Sequence, residues 1–308
     1  MLAMAVGCGA RRSLILDHDG AIDDYVALLM VAGADGPRLR AVTISFGGCD
    51  AEPAADATRR ILAAVGAPAP VGVHAPSLRG KNEFPAAWRE TCRQVPKLFP
   101  AAASRGPGDA DAVAVLGRAL DEGRRGIDIL ATGPLTNLAA AFREDPPRAG
   151  RAGRVVILGG AVRVPGNAPA GAEYNFFVDP DAAAYVLSLA GRGLAIDLVP
   201  LDATNQFPVT PRFVDRLLGA RGGKARHAGR ILKLSAESIA KSEYYLWDGA
   251  AALALLRPGA LSFATLRLEV TPEGRTVESP AGHGPIRVAL GLAPGVEPLD
   301  EVRAILDR

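Results

Sequence analysis

Four carboxylates lie close together near the start of the chain, in the segment DHDGAIDD. They are Asp17, Asp19, Asp23 and Asp24, and an apolar run, Ser13–Asp17, leads into them. Carboxylates packed this closely repel one another unless a cation lies among them, and oxygen ligands suit a hard divalent ion. The pattern therefore predicts a metal site in which Asp19 and Asp24 bind one cation. The alternative is a solvated loop that leads into a helix with an acidic first turn.

Three further polar motifs follow apolar runs later in the chain. They are ATGPLTN (Ala131–Asn137), LGGA (Leu158–Ala161) with Asn167, Glu173 and Asn175 after it, and YYLWDG (Tyr244–Gly249). Taken singly, the first motif is a turn that starts a helix, and the amides and the glutamate are residues that commonly cap loops. Their spacing from the acidic segment makes them candidate binding residues.

The elements that must position these motifs alternate between strand and helix. Predicted strands are Ser13–Asp17, Arg40–Ser45, Pro70–Val73, Ile127–Ala131, Arg154–Leu158 and Leu194–Val199, and predicted helices are Asp23–Ala34, Ala54–Val65, Ala110–Asp121, Leu135–Arg143 and Pro180–Ala190. Strands separated by helices imply right-handed crossovers and a largely parallel sheet. Such sheets bind ligands at the carboxyl ends of their strands, which is where the polar motifs fall.

We therefore predict an α/β fold: an open, mostly parallel, Rossmann-like sheet with flanking helices, in a single domain spanning residues 1–308. Beyond Pro208 the pattern predicts helices, then two strands near Leu261–Val270 and Ile286–Ala289. Residues 1–12 are expected to form a flexible N-terminal tail. Lys81–Ser104, which contains Trp88, is expected to be a long active-site loop.

Composition excludes several classes of function. Of the 308 residues, 49% are hydrophobic and 22% are charged, as in globular proteins with a large core, and the net charge of +2 gives no basis for nucleic-acid binding. No apolar stretch approaches the roughly 20 residues that span a membrane. The three cysteines, Cys8, Cys49 and Cys92, lack metal or redox spacing, so we expect reduced thiols in a cytoplasmic protein.

On these motifs the sequence resembles the inosine–uridine-type nucleoside hydrolase family, whose opening motif is a strand followed by Asp-x-Asp-x-x-x-Asp-Asp. The form DHDG is most similar to the purine-preferring (inosine–adenosine–guanosine) branch. The resemblance implies that calcium is bound by Asp19, Asp24, the backbone carbonyl of Thr132 and Asp248. It also implies that the sugar hydroxyls are held by Asp23, Asn167, Glu173 and Asn175, with Asp17 supporting the site. One carboxylate and two amides can satisfy several hydroxyls at once.

The same resemblance places the base between two tryptophans. Many relatives carry a histidine before the last aspartate, where it protonates the leaving base, but this chain has Trp247 there, as the purine-preferring branch does. Trp88 would form the other side of the sandwich. Because an indole N–H cannot serve as a general acid, stacking would instead favour the protonated base, with Tyr244 as a candidate proton relay. The alternative is that both tryptophans only pack the core.

Two positions depart from the family pattern. Ala21 stands where the purine-preferring branch usually has Asn, and Gly48 replaces an Asn or Asp that relatives offer to the sugar or base. Each change removes a hydrogen-bonding group worth about 1 kcal/mol, which bears on substrate preference but not on the metal site. Asp50 is a candidate replacement for the side chain missing at Gly48.

The resulting prediction is an N-ribosyl hydrolase of the purine nucleosidase type, a homodimer by resemblance, that binds a nucleoside and neither nucleic acid nor a membrane. Asp19 would accept the proton of the attacking water. Two alternatives stay open. Leu16–Gly20 also resembles the opening of haloacid-dehalogenase-like phosphatases, in which Asp17 would be the nucleophile and magnesium the metal. The other alternative is a calcium-dependent nucleoside-binding protein that lost its activity through Ala21 and Gly48.

Overall fold

Ten strands form one sheet in the part of the chain that the computed structural model describes, which is residues 11–33, 36–101, 110–123 and 126–308. The strands are β1 (Ser13–His18), β2 (Arg38–Ile44), β3 (Val71–Val73), β4 (Ala110–Asp111), β5 (Ile127–Ala131), β6 (Ala152–Leu158), β7 (Ile196–Val199), β8 (Leu261–Val270), β9 (Thr276–Glu278) and β10 (His283–Leu292). Their order across the sheet is β4-β3-β2-β1-β5-β6-β7-β10-β8-β9. Only the pairings of β8 with β10 and with β9 are antiparallel. The prediction of an open, mostly parallel sheet is confirmed.

Helices cover both faces of this sheet. They are α1 (Ile22–Val31), α2 (Ala51–Ala64), α3 (Ala86–Cys92), α4 (Ala112–Glu122), α5 (Thr136–Glu144), α6 (Tyr174–Val178), α7 (Pro180–Ser188), α8 (Leu201–Thr204), α9 (Pro211–Leu218), α10 (Gly223–Leu232), α11 (Ala236–Ala240), α12 (Trp247–Leu256) and α13 (Pro298–Leu306). Within the described ranges, no helix is both long enough and apolar enough to cross a membrane. Of the predicted N-terminal tail, residues 1–10 lie outside the described residues.

Strand β1 lies in the interior of the sheet and is buried on both faces. Leu14 and Leu16 belong to the core that includes residues of α1, α10 and α12, whereas Ile15 belongs to the core that includes residues of α4, α5 and α7. Successive side chains of a strand point to opposite faces, so a central parallel strand requires a continuous apolar run. The carboxyl end of β1, which carries the acidic segment, is therefore flanked by strands on both sides.

The prediction that Lys81–Ser104 forms a long loop was wrong for its middle part. This part contains α3 and a short 3-10 helix, Val95–Leu98. Pro85 immediately precedes α3, and Pro96 lies in the first turn of the 3-10 helix. The first turn of a helix does not need the N–H that proline lacks, so these prolines mark helix starts rather than an irregular loop. Ser104 itself lies outside the described residues.

Candidate active site

A cavity of about 250 Å³ opens where β1, β5 and β6 end, at the carboxyl edge of the sheet. Nearly all of the predicted site residues line it: Asp19, Asp23, Trp88, Thr132, Asn167, Glu173, Asn175, Tyr244, Trp247 and Asp248. Asp17 and Asp24 do not line the cavity, and both are completely buried. Both accept hydrogen bonds from Thr132: the Thr132 N–H donates to the Asp17 carbonyl oxygen and Thr132 Oγ1 donates to Asp24 Oδ1. The structure therefore brings together side chains that are up to 229 positions apart in the chain, from Asp19 to Asp248.

The acidic segment folds as a tight turn between β1 and α1. Gly20 has a φ of +81°, and a Cβ there would lie 2.7 Å from the Cβ of Ala54, so only glycine fits. The Gly20 N–H donates to His18 Nδ1 at 3.1 Å, and His18 Nε2 lies 3.1 Å from Thr58 Oγ1. Burial lowers the pKa of His18. A neutral, hydrogen-bonded His18 therefore shapes the turn that carries Asp19.

Asp19 lies in a cradle of glycines. The Gly48 N–H donates to Asp19 Oδ2 at 2.8 Å. A Cβ at Gly133 would lie 2.9 Å from the Cβ of Asp19, and a Cβ at Gly47 would overlap the Asp19 carboxylate. The loops after β2 and β5 can approach this side chain so closely because glycine has no side chain of its own. Asp19 is thus held in place and 2% exposed at the cavity wall.

Hydrogen bonds connect the other acidic residues to distant segments. Thr132 Oγ1 donates to Asp24 Oδ1 at 2.6 Å, and the Ala21 N–H donates to Asp24 Oδ2 at 2.8 Å. At the other end of the chain, the Asp248 N–H donates to Asp23 Oδ2 at 3.1 Å, and the Tyr244 hydroxyl donates to Asp23 Oδ1 at 3.2 Å. The start of α12 is therefore tied directly to the start of α1.

The carbonyl predicted as a metal ligand is also fixed in place. Asn175 Nδ2 donates to the Thr132 carbonyl oxygen at 2.7 Å. A carbonyl oxygen has two lone pairs, so this bond leaves one free for a cation. Since Asn175 itself lines the cavity, the same residue both orients Thr132 and offers its Oδ1 to a ligand.

Burial and mutual repulsion raise the pKa values of three of these carboxyls, those of Asp19, Asp23 and Asp248, in the metal-free protein. For Asp248 the largest cause is burial, followed by repulsion from Asp23, Asp24 and Asp19, and its pKa lies well above the usual 3.8. Burial and the charge of Asp24 also raise the pKa of Asp19 well above its usual value and that of Asp23 to about 6. Ionised together, these groups repel one another, and either bound protons or a bound cation would relieve that repulsion.

The chemistry of this donor set fits a hard cation. Its atoms are carboxylate oxygens and a backbone carbonyl oxygen, and no lysine or arginine lines the cavity among the described residues. In the same part of the chain, no three Asp, Glu, His or Cys side chains already surround one point as ligands would. The electrostatics therefore favour a cation here, but side-chain geometry alone does not identify the ion.

Two other buried carboxyls belong to the site: Glu173, which lines the cavity, and Asp17, which does not. Glu173 caps α6 and accepts hydrogen bonds from the backbone of Gly160, Asn175 and Phe176, yet burial still raises its pKa from 4.5 to about 7. Asp17 Oδ1 accepts from Thr43 Oγ1 and Asn137 Nδ2, and burial raises the pKa of Asp17 from 3.8 to about 7.

Aromatic side chains line the rest of the cavity. Trp88 packs against Tyr174, with 4.8 Å between ring centroids, and remains 47% exposed. Trp247 packs against Tyr244 at 5.4 Å, and its buried Nε1 has no hydrogen-bond partner among the described residues. Both indoles line the same cavity as Asp19. They are therefore available to a ligand, in addition to the packing contacts that the alternative interpretation expects.

The structure corrects two expectations about the loop after β2. Asp50 does not replace the side chain missing at Gly48: it lies outside the cavity lining and is paired with Arg93, whose Nε donates to Asp50 Oδ2 at 2.7 Å. The expectation of reduced thiols is also wrong for Cys49 and Cys92, which form a disulfide. The pair was missed because the number of cysteines is odd and their spacing is not that of a known motif.

Some cavity residues were not predicted from the sequence. They are Ile22, Phe84, Thr91, Cys92, Leu158, Tyr174, Ser235, Ser238 and Glu243. Three of these nine, Ile22, Tyr174 and Glu243, are next to a predicted site residue in the sequence. Ser235 and Ser238, in contrast, come from α11 and the turn before it, and nothing in their spacing distinguishes them from other surface serines.

Solved structures that match this fold include nucleoside hydrolases. The inosine-uridine preferring nucleoside hydrolase of Bacillus anthracis matches with a TM-score of 0.84 and 28% identity, over 96% of this chain and 99% of that chain. The purine-preferring ribonucleoside hydrolase of Gardnerella vaginalis has a TM-score of 0.75 and 22% identity, over 96% and 99% of the two chains, and shows likeness of fold alone. The fold and the site together define a nucleoside hydrolase.

Comparison of the sequence with known proteins gives the same class, nucleoside hydrolases. A probable uridine nucleosidase 2 of Oryza sativa subsp. japonica is 30% identical over 271 residues, which are 86% of this chain and 80% of the relative. The model of the inosine-uridine preferring nucleoside hydrolase family matches residues 14–295, and the chain belongs to that family. The reaction of such enzymes is hydrolysis of the N-ribosidic bond of a nucleoside. The phosphatase alternative finds no support in these matches.

Proposed function

We propose that this enzyme hydrolyses the N-glycosidic bond of purine ribonucleosides in a calcium-dependent reaction that gives free base and ribose. The observation that carries the proposal is that Asp19, Asp23 and Asp248 line one cavity together with Trp88 and Trp247. The carboxylates suit a cation and a sugar, and the indoles suit a flat, aromatic base.

The acidic end of the cavity would bind the metal and activate water. Calcium would be held by Asp19, Asp24, the Thr132 carbonyl and Asp248, and its charge would lower the pKa of water at the site. Asp19 Oδ2 accepts the Gly48 N–H at 2.8 Å and Asp19 Oδ1 accepts the Ala21 N–H at 3.3 Å. Each carboxylate oxygen keeps a further lone pair, so the Asp19 carboxylate would take the proton of the attacking water.

Four residues would hold the ribose: Asp23, Asn167, Glu173 and Asn175. Asn167 Oδ1 accepts the Tyr174 N–H at 3.2 Å, which leaves Asn167 Nδ2 to donate to a hydroxyl. Asn175 Nδ2 is engaged by Thr132, which leaves Asn175 Oδ1 to accept. Loss of the base leaves an oxocarbenium-like sugar, and the surrounding carboxylates would stabilise its positive charge.

The aromatic end would determine the choice of base. Two electron-rich indole faces favour a protonated, cationic purine, which leaves more readily. The Tyr244 hydroxyl, which donates to Asp23, would relay a proton to the base from water. The matched rice relative is named for uridine, so the purine preference proposed here depends on Trp88 and Trp247 and on the absence of a histidine before Asp248.

We expect inosine, adenosine and guanosine to be cleaved faster than uridine, and Trp247→Ala to lower kcat/KM for inosine about tenfold or more. Loss of one base–aromatic stacking contact accounts for an effect of this size. Release of free base and ribose, followed with and without added calcium, measures both. Trp247→Phe is the matched control, because it keeps an aromatic face and should retain most of the purine rate. Equal rates for uridine and inosine would contradict the stacking role, and tight binding of inosine without release of base would revive the binding-protein alternative.

The homodimer and the cytoplasmic location stay predictions. The first comes from the family resemblance, and light scattering would measure it. The second was based in part on reduced cysteines, and the disulfide between Cys49 and Cys92 removes that support, because disulfides are rare in reducing compartments.

A further inference from the structure

The disulfide between Cys49 and Cys92 joins two segments that form opposite parts of the active site. Cys49 directly follows Gly48, and the backbone N–H groups of Gly48 and Cys49 donate to Asp19 Oδ2 and to the Asp19 carbonyl oxygen at 2.8 Å and 3.0 Å. Cys92 is the last residue of α3, which carries Trp88, and Cys92 itself lines the cavity. The covalent bond therefore connects the acidic end of the cavity to its aromatic end.

Helix α3 itself is only partly buried. Cys92 is the one residue of this seven-residue helix that is buried, and Trp88 is 47% exposed. The chain is anchored on either side of it. Before α3, Phe84 is buried in a cluster with Phe46 and Val178, and after α3, Val95 is fully buried. Between these two anchors the disulfide is the covalent attachment to the body of the protein.

The remaining contacts of α3 are noncovalent. Arg93, just after the helix, pairs with Asp50, but their side chains are 42% and 41% exposed, and exposed ion pairs of this kind contribute little to stability. The Arg89 side chain is 13% exposed, and its guanidinium lies 5.3 Å from the centre of the Phe46 ring. Trp88 contacts Phe84 and Tyr174. The disulfide therefore adds a covalent constraint to a helix that is otherwise held by side-chain packing.

We propose that the Cys49–Cys92 disulfide is the positioning element for the Trp88 wall of the pocket, and that its reduction by a dithiol weakens nucleoside binding while the acidic cluster stays in place. In that reaction the S–S bond breaks, each cysteine sulfur takes up one proton, and the two electrons come from the dithiol, which closes to its own disulfide. The acidic cluster is fixed by bonds that do not involve the cystine, such as Thr132 to Asp24 and Asp248 to Asp23. The inference depends on the proposed function only in taking a nucleoside as the ligand.

The kinetic test compares oxidised and dithiothreitol-reduced enzyme with calcium and inosine. We expect KM to rise about five- to tenfold on reduction, as for loss of one stacking contact, and kcat to fall by a smaller factor because Trp247 still stacks on the base. The variant Cys49→Ala/Cys92→Ala should show the high KM in both conditions and no response to the dithiol, whereas Cys8→Ser should respond like the wild type. An unchanged KM after full reduction, or a fall in kcat with KM unchanged, would overturn the proposal.

A second measurement needs no substrate and separates this proposal from the proposed function. Amide hydrogen exchange of the peptide covering residues 83–94 should accelerate on reduction, while exchange of α1 and α12 stays the same. Peptide mapping of the unreduced protein should recover Cys49 and Cys92 in one linked peptide. If the enzyme cleaves no nucleoside but exchange accelerates in residues 83–94 alone, the proposed function fails and the positioning role stands. Unchanged exchange, or no linked peptide, overturns the positioning role whatever the activity.

Discussion

Asp19→Asn should lower kcat/KM for nucleoside hydrolysis about a thousandfold or more. Asp19 is the residue at the cavity wall whose carboxylate would take the proton of water, and it is also a proposed metal ligand. Loss of a general base alone costs about 10²- to 10⁴-fold. Asparagine has the same shape and can still accept the Gly48 N–H through its oxygen, so the turn should be preserved. Release of free ribose from inosine measures the effect.

The matched control for this variant is Asp300→Asn. Asp300 pairs with Arg216 on the surface, where its side chain is 57% exposed, so its loss should leave activity unchanged. Thermal melting followed by circular dichroism in the ultraviolet should show both variants folded. If Asp19→Asn were folded and kept more than about a tenth of the wild-type rate, a base at this position would be excluded.

Asp248→Asn should have opposite effects on stability and on activity. In chelator-treated protein the substitution removes one of the charges that repel Asp23, Asp24 and Asp19, so the melting temperature should rise. A gain of about 1 kcal/mol would raise it by about 2 °C in a chain of this size. With calcium present, activity should fall by two orders of magnitude or more, as about 10²-fold losses accompany removal of a charge-stabilising group. Thermal melting with and without calcium, together with ribose release, measures both.

The pH dependence of the stability of the chelator-treated wild type follows from the same charges. Burial raises the pKa of Asp17 to about 7 and that of Asp23 to about 6, so the native state binds protons more tightly than the unfolded chain. The stability that these groups contribute is complete at low pH and is lost as the pH rises from about 4 to about 7. Calcium should restore this stability near neutral pH. In Asp248→Asn the stability should fall less than in the wild type over the same pH range. A melting temperature of Asp248→Asn below that of the wild type under chelation, at pH 7, would contradict mutual repulsion.

Most of the fold could be predicted because its signals are local. The apolar run Ser13–Asp17 is long enough for a strand and is followed by helical periodicity, and a strand–helix–strand order leaves few topologies open. The strands β4 and β9, of two and three residues, were missed because such short segments exist only through pairing with β3 and β8. Helix α3 was missed because prolines were read as loop signals.

Much of the site was also predicted, since the carboxyl ends of parallel strands must meet at one edge. The exceptions depend on contacts between segments that are far apart in the sequence. Asp24 and Asp17 lie beneath the cavity because their oxygens bond to Thr132 and Asn137, which no spacing reveals. The Cys49–Cys92 disulfide forms because α3 lies next to the loop after β2. The sequence alone does not show whether Cys49 pairs with Cys8 or with Cys92. Asp50 was misassigned because its partner, Arg93, is 43 positions away.

Calorimetric titration of the chelator-stripped protein with calcium most directly tests whether oxygens from these distant segments form one cation site. We predict one calcium ion bound per chain by the wild type, and binding weakened at least about a hundredfold in Asp248→Asn, since a charged ligand is then lost. Asp300→Asn should bind as the wild type does. Absence of calcium binding by the wild type, or equal affinity in Asp248→Asn, would show that Asp248 and the acidic segment do not share an ion.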